Sequence, residues 1–152
     1  MLAITLHQPW AWAVTHAGKR IENRTWRPPP SVVGQRIAIH AGMRLDRIGA
    51  EILSDVALSP IRVGSGVGLS SLGSGDGTET TWAVPAFPPQ GAIVATATLA
   101  DVVTESDSPW FRGPYGWVLA DVVALAEPVP CKGRQRLWTV PEDIVANLGG
   151  GA

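Results

Sequence analysis

Alternation of apolar and polar side chains accounts for most of the regular structure that this sequence predicts. Successive side chains of a strand point to opposite faces of its sheet, so alternation over several residues is typical of β-strands. On this criterion, strands are predicted at residues 1–6, 20–26, 36–40, 91–104, 115–125 and 137–140. Three consecutive prolines at 28–30 end the second of these segments, because proline cannot donate to a strand ladder.

Helical periodicity, with apolar residues three and four positions apart, predicts the helices. Residues 9–17 predict a helix that starts at Pro9 and ends before Gly18. Four of its residues share one face, which we expect to join the core: Trp10, Ala13, Val14 and Ala17. Residues 45–58 carry an apolar stripe opposite a charged one, which is typical of a surface helix. A final short helix is predicted over residues 141–148.

Length and composition predict a single α+β domain. A chain of 152 residues with 45% hydrophobic composition is long enough for one core and too short for two. We expect the domain to span residues 1–148, followed by a disordered tail at 149–152. Many strands and few helices, without regular alternation, favour a small closed or nearly closed sheet. Residues 64–80, rich in glycine and serine, are predicted to form a flexible loop, with a hinge or lid as the alternative.

Charge is unevenly distributed along a chain whose formal net charge is −1. That net charge argues against a nucleic-acid-binding protein that relies on overall positive charge. Residues 19–47, however, contain seven basic and two acidic side chains. A second basic cluster comprises Lys132, Arg134 and Arg136. If folding brings both clusters together, they form one basic face on a nearly neutral protein.

The remaining composition predicts a cytoplasmic protein. A single cysteine, Cys131, cannot form an intrachain disulfide. The first ten residues lack the basic region and the apolar run of a signal peptide, and no segment approaches the ~20 apolar residues of a membrane helix. We therefore expect no membrane association, and the oligomeric state stays open.

The densest set of reactive side chains lies at residues 19–26. In an extended segment, Glu22 and Arg24 point to the same side, and Lys19 precedes them at the corner between helix and strand. A lysine beside a carboxylate can take part in proton transfer, and an arginine can hold a carbonyl or phosphate oxygen through two hydrogen bonds. The alternative is a surface ion-pair cluster that contributes little to stability. Both interpretations stay open on spacing alone.

Tryptophans supply candidate stacking surfaces for unpaired bases. Trp10 and Trp117 are expected to belong to the core, where large aromatic side chains dominate burial. Trp26 and Trp110 stand among arginines and prolines, so they are better candidates for an exposed platform.

Neither a metal nor a cofactor is predicted. His7, His40 and Cys131 have the side chains of a zinc site, but no pair has short ligand spacing. Cys131 beside Lys132 is a weaker candidate for a nucleophile than for a partly buried structural cysteine. The glycines of the predicted loop lack the Lys-Ser/Thr that completes a phosphate-binding motif.

Five sequence blocks, taken in order, resemble the ASCH domain family (activating signal cointegrator homology). They are QPWAWAVTHAGKRIENRTWRPP, IAIHAG, GAIVATATLADVV, GPYGWVLADVVALAEPVPCKG and LWTVP. The resemblance leaves out residues 64–81 and the tail. It implies a small PUA-like β-barrel with a few flanking helices and a cleft lined by Lys19, Glu22 and Arg24.

The resemblance favours a domain that binds RNA or modified nucleosides. Lys19, Glu22 and Arg24 would form its working face, and Trp10 or Trp26 its stacking wall. Phosphate contacts would come from five further side chains: Arg36, His40, Lys132, Arg134 and Arg136.

A hydrolase in the same cleft is the first alternative, acting on RNA or on acylated nucleosides. The family includes amidohydrolases that deacylate N4-acylated cytidine, whose lysine is matched by Lys19 and whose arginine is matched by Arg24. Glu22 stands where those enzymes have a threonine nucleophile, so here it would act as a general base instead. A protein-interaction module that uses exposed tryptophans is the second alternative.

Overall fold

The computed structural model describes residues 1–49, 53 and 88–149, and its main feature is one six-stranded mixed sheet. The strands are β1 (Leu2–Gln8), β2 (Ile21–Arg24), β3 (Arg36–Leu45), β4 (Ala92–Val103), β5 (Tyr115–Pro130) and β6 (Leu137–Thr139). Their order in the sheet is β2-β5-β4-β3-β1-β6. β1 and β3 run parallel, and the other neighbouring strands run antiparallel. Helix α1 (Trp10–His16), a 3-10 turn (Pro30–Val32) and helix α2 (Glu142–Leu148) complete the described elements.

The predicted strands and the α+β class are confirmed, but the closed barrel is wrong. Within the described part of the chain, β2 pairs only with β5 and β6 pairs only with β1, so the sheet has two free edges. These edge strands have four and three residues, which leaves little backbone to pair across a closing seam. The architecture is therefore an open mixed sheet flanked by helices.

Two sequence predictions fall partly or wholly outside the described residues. Residues 47–49 and Leu53 are helical, in agreement with the helix predicted over 45–58, whose other residues from 50 onward are not described. The loop predicted at 64–80 and most of the predicted tail also lie outside them. Within the residues that are described, no helix has the length and apolar character needed to cross a membrane.

Helix α1 packs on the sheet with more of its surface buried than one apolar face predicts. Trp12 and Thr15, which do not belong to the predicted core face of the helix, are 6% and 8% exposed. The reason is a second layer: Trp12 packs in a separate apolar cluster with Leu53 and with the partly buried Trp110. Trp10, expected in the core, is only partly buried because it lines a cavity.

Packing in the sheet core fixes the positions of α1 and β2. Three alanines of β3 and β4, Ala41, Ala95 and Ala97, are completely buried, and they share a core cluster with Ala11 and Val14 of α1. Trp117 of β5 is completely buried and lies opposite Glu22 of β2 in the strand register. β2 is thus fixed at the sheet edge, and its polar residues Glu22, Asn23 and Arg24 line cavities.

Candidate functional site

Two cavities have residues of β2 in their lining. The first, here called the small cavity, has a volume of about 190 Å³ and is lined by Trp10, Lys19, Glu22, Asn23, Pro109, Trp110 and Arg112. The second, here called the basic groove, has a volume of about 900 Å³ and is lined by residues of β1 and β3, by the segment 131–136, and by Arg24, Trp26 and Gly91. The sequence predicted one cleft, whereas the structure divides its residues between two.

Lys19 and Glu22 form a buried ion pair in the wall of the small cavity. Lys19 is 3% exposed, and its Nζ donates to the carboxylate Oε2 of Glu22 at 2.5 Å and to the backbone oxygen of Ile21 at 2.6 Å. The ammonium also lies 6.0 Å from the ring centroid of Trp10. This burial excludes the interpretation as an exposed surface ion pair, since both side chains are removed from bulk water.

Trp10 is held in the cavity wall by two residues that sequence reasoning missed, Asp46 and Gly49. The indole Nε1 donates to Oδ2 of Asp46 at 3.0 Å, and the backbone amide of Gly49 donates to Oδ1 at 2.9 Å. A Cβ on Gly49 would lie 2.6 Å from the indole ring, so a side chain there would displace Trp10. These hydrogen bonds lower the pKa of Asp46, with the Gly49 amide as the larger cause. A signal existed: an aspartate three residues before the backbone amide it accepts from is typical of a helix N-cap.

The opposite wall of the small cavity is held by Asn23, which was also missed. Its Nδ2 donates to the backbone oxygen of Trp110 at 2.9 Å, and its Oδ1 accepts from the backbone amides of Arg112 and Gly113 at 2.7 and 3.1 Å. One side chain on β2 thereby fixes the turn that carries Trp110. The polar atoms of Asn23 are occupied within the protein, which makes it a positioning residue.

Arg24 belongs to the basic groove, although it lies two residues from Glu22. Its Nη2 donates to the backbone oxygen of Thr5 at 2.9 Å, and its Nε lies 3.5 Å from Oε1 of Glu22. That distance leaves Nε without a hydrogen-bond partner. Glu22 is therefore bound more closely to Lys19, and the charge of Arg24 is left to act on the groove.

The basic groove brings together the two charge clusters that are separate in the sequence. Its lining includes five basic side chains: Arg24, Arg44, Lys132, Arg134 and Arg136. No acidic residue is among its lining residues, and the ion pairs found in the described part of the chain are the two made by Glu22. The groove is consequently positive although the protein is nearly neutral.

Arg36, another predicted phosphate contact, lies apart from both cavities. Its guanidinium donates to the hydroxyls of Thr96 and Thr98 and to the backbone oxygen of Asp121. These contacts join β3 to β4 and β5. In this position Arg36 supports the sheet.

His40 lies beneath the basic segment and holds it in place. It is 2% exposed, and its Nε2 lies 2.7 Å from the backbone oxygen of Cys131. A carbonyl only accepts, so Nε2 carries the proton and Nδ1 is left without a partner. Burial lowers the pKa of His40. A Cβ on Gly133, which sequence reasoning missed, would lie 2.6 Å from Nδ1, so the segment passes directly over the imidazole ring.

Cys131 and the histidines do not assemble a reactive or metal-binding centre in the described residues. Burial and the nearby charge of Asp143 raise the pKa of the Cys131 thiol, the opposite of what activates a nucleophile. No group of three histidine, cysteine, aspartate or glutamate side chains in residues 1–49, 53 and 88–149 has the arrangement of a metal site.

Comparison with known proteins agrees with this architecture. The family model of the ASCH domain matches residues 4–114. No curated protein matches the sequence. The crystal structure of ASCH from Zymomonas mobilis is 15% identical, with a TM-score of 0.51 over 97% of this chain and 92% of that one, which is a likeness of fold. Because the family model covers well over half of the sequence, the chain belongs to the ASCH domain family.

Proposed function

We propose that this protein binds RNA along the basic groove and accepts one base or modified nucleoside in the small cavity. The observation that carries the proposal is the groove of about 900 Å³ with five basic side chains and no acidic one in its lining. Membership of the ASCH family supports a domain of the general RNA-binding type. Phosphates are the natural partners of such a surface, because their neutralisation releases counterions.

The small cavity suits a single ring system. Its volume of about 190 Å³ lies below the ~300–1,000 Å³ of sites that take drug-sized ligands. Two tryptophans and a proline form most of its apolar wall, while Lys19 and Glu22 offer a donor and an acceptor at one end. A planar base can therefore be enclosed between aromatic walls and oriented by a few polar contacts.

The salt dependence of RNA affinity tests the groove. For single strands, log Kd is expected to change with log salt by about 0.7 for each phosphate contacted. The double variant Lys132→Gln/Arg134→Gln should therefore reduce the slope by about 1.4, measured by fluorescence anisotropy of a labelled RNA. The matched control is Arg27→Gln/Arg47→Gln, which removes two exposed arginines that line neither cavity and should keep the wild-type slope. No binding at low salt, or an affinity that is flat with salt, would reject the proposal, whereas capture of a protein that survives nuclease treatment would favour an interaction module.

A hydrolase acting in the small cavity is the second candidate. The favouring observation is the buried Lys19–Glu22 pair, which faces an apolar cavity that also contains Trp10 and Trp110. Glu22 would remove a proton from water, and Lys19 would stabilise the oxyanion that develops on an acylated base or phosphodiester. Arg24, which lines the groove, would stabilise the same oxyanion from that side with its positive charge. Turnover of RNA and of acylated cytidine by the wild type, lost in Lys19→Met, would support this candidate, and equal inactivity of both proteins would reject it.

A further inference from the structure

We propose that Arg136, seated on Trp26, is a stacking platform for an unpaired base, so that the groove selects single-stranded nucleic acid. This inference rests on the proposed function of the groove and names the class of nucleic acid that it takes. It also assigns to Arg136 a role other than the phosphate contact expected from the sequence.

Trp26 provides a fixed support beneath the arginine. Its ring meets the ring of Trp117 edge to face, with a centroid distance of 4.8 Å and an interplanar angle of 83°. The indole Nε1 of Trp117 donates to the backbone oxygen of Trp26 at 3.3 Å, and Trp117 is completely buried. Trp26 is thus anchored to the core through both its side chain and its backbone.

Arg136 covers the ring of Trp26. Its Cζ lies 4.2 Å from the ring centroid, the distance of a close cation–π contact. A base that enters from this side meets the guanidinium before it meets the indole. The direct base–Trp26 stack expected from the sequence is therefore replaced, on this side, by a base–arginine contact.

The backbone of Arg136 is shaped for this contact. Its φ is +60°, in the left-handed region that side chains with a Cβ disfavour and that glycine adopts freely. The neighbouring basic residues Lys132 and Arg134 lie in the same segment, whose path is set by His40 and Gly133. An arginine that the fold holds in an unfavourable conformation points to a role for its side chain over the indole.

The outer face of the guanidinium is open to a ligand. Arg136 is exposed, and none of the ion pairs found in the described residues involves it. A guanidinium is planar and weakly hydrated, so a base stacks on it readily, while Lys132 and Arg134 can contact the flanking phosphates. A duplex keeps its bases stacked on one another and offers no such face, which is why the proposal specifies a single strand.

Two labelled strands of equal length, oligouridine and an abasic strand with the same sugar–phosphate backbone, separate stacking from charge. Stacking on one base contributes roughly 5- to 150-fold in affinity, so the wild type should prefer oligouridine by at least about 5-fold. Arg136→Lys keeps the charge and removes the planar group. We expect it to reduce the preference by at least about 5-fold, because only the stacking on Arg136 is lost, while abasic-strand affinity and the salt slope stay unchanged. Arg134→Lys is the matched control and should keep the preference.

The outcomes distinguish the two proposals. If neither strand binds at low salt, the RNA-binding function itself fails. If a duplex binds as tightly as oligouridine, or if Arg136→Lys weakens both strands alike, the stacking role of Arg136 alone is overturned. If the wild type binds both strands equally, base binding in the small cavity is overturned together with it. Arg136→Gly fits the left-handed backbone and should fold normally; an oligouridine preference as large as that of the wild type in this variant would also overturn the stacking role.

Discussion

The small cavity and the basic groove use charge in opposite ways. In the small cavity, Lys19 and Glu22 neutralise each other at 2.5 Å, and the polar atoms of Asn23 are taken up by backbone groups. In the groove, Lys132, Arg134 and Arg136 have no carboxylate partner among the described residues. The cavity is therefore suited to recognition by shape and a few hydrogen bonds, and the groove to recognition by charge.

The boundary between the two regions is a single carboxylate. Glu22 is closer to Lys19, at 2.5 Å, than to Arg24, at 3.5 Å. A carboxylate carries one negative charge, so Lys19, Glu22 and Arg24 together keep one net positive charge. Because Glu22 lies nearer Lys19, that positive charge falls on the groove side, so the pairing within the cavity also affects the potential of the groove.

Removing that carboxylate is expected to have the largest effect. Glu22→Met leaves the buried ammonium of Lys19 without its partner, which should lower the free energy of unfolding by about 3 kcal/mol in urea denaturation. The double variant Lys19→Met/Glu22→Met removes both charges and should lose less. If the double variant loses as much stability as Lys19→Met and Glu22→Met added together, the two charges are not coupled, which contradicts the neutralised pair in the small cavity.

Gly133→Ala tests the groove side of the comparison. The added Cβ would meet the His40 ring at 2.5 Å, and overpacking of this kind costs about 1–3 kcal/mol of stability. The basic segment must shift, so RNA affinity should fall, while binding of a nucleoside in the small cavity stays the same. Gly149→Ala is the control, because its Cβ has no heavy atom within 4 Å. Equal stability of the two alanine variants would contradict the packing of His40 under the segment.

Asp46→Ala tests the cavity side, with a smaller effect. The variant loses the acceptor for the Trp10 indole and for the Gly49 amide, which should cost about 1 kcal/mol of stability. Trp10 then loses its fixed orientation, so nucleoside affinity should weaken while the salt slope of RNA binding is kept. Asp101→Ala, at an exposed aspartate that lines neither cavity, should change neither the nucleoside affinity nor the salt slope of RNA binding. A changed salt slope in Asp46→Ala would show that the two regions are not separate.

The smallest expected effect is a dependence of stability on pH that arises at His40. Burial lowers the pKa of His40 below its unfolded value of about 6.5, so the unfolded chain binds the proton more readily. The stabilisation is complete above that value and is lost as the pH falls below about 6.5. Thermal unfolding of the wild type between pH 7 and pH 5 should show a steeper loss than that of His40→Gln. Parallel curves would mean that protonation of His40 does not matter to the fold.

The sequence predicts the positions of the strands and helices well, because each element has its own periodicity of apolar residues. The alternation that predicts strands at 36–40 and 91–104 corresponds to β3 and β4, although β3 continues to Leu45. The helix face was less predictable. Trp12 is buried and Trp10 is only partly buried, because Trp12 packs with Leu53 in a second apolar cluster while Trp10 lines the small cavity. A periodicity argument cannot anticipate a layer contributed by a distant segment.

The sequence by itself determined which side chains are available for chemistry: the Lys19 to Arg24 segment, the basic cluster at Lys132, Arg134 and Arg136, and the ASCH resemblance. Only the tertiary structure decided how they are grouped. The sheet is open where a barrel was expected, and Arg24 lies in a different cavity from Lys19. Arg36 contacts β4, and Arg136 lies over Trp26. The physical reason is that these contacts join residues distant in the chain. Their distances depend on strand order and side-chain packing, which local sequence patterns do not encode.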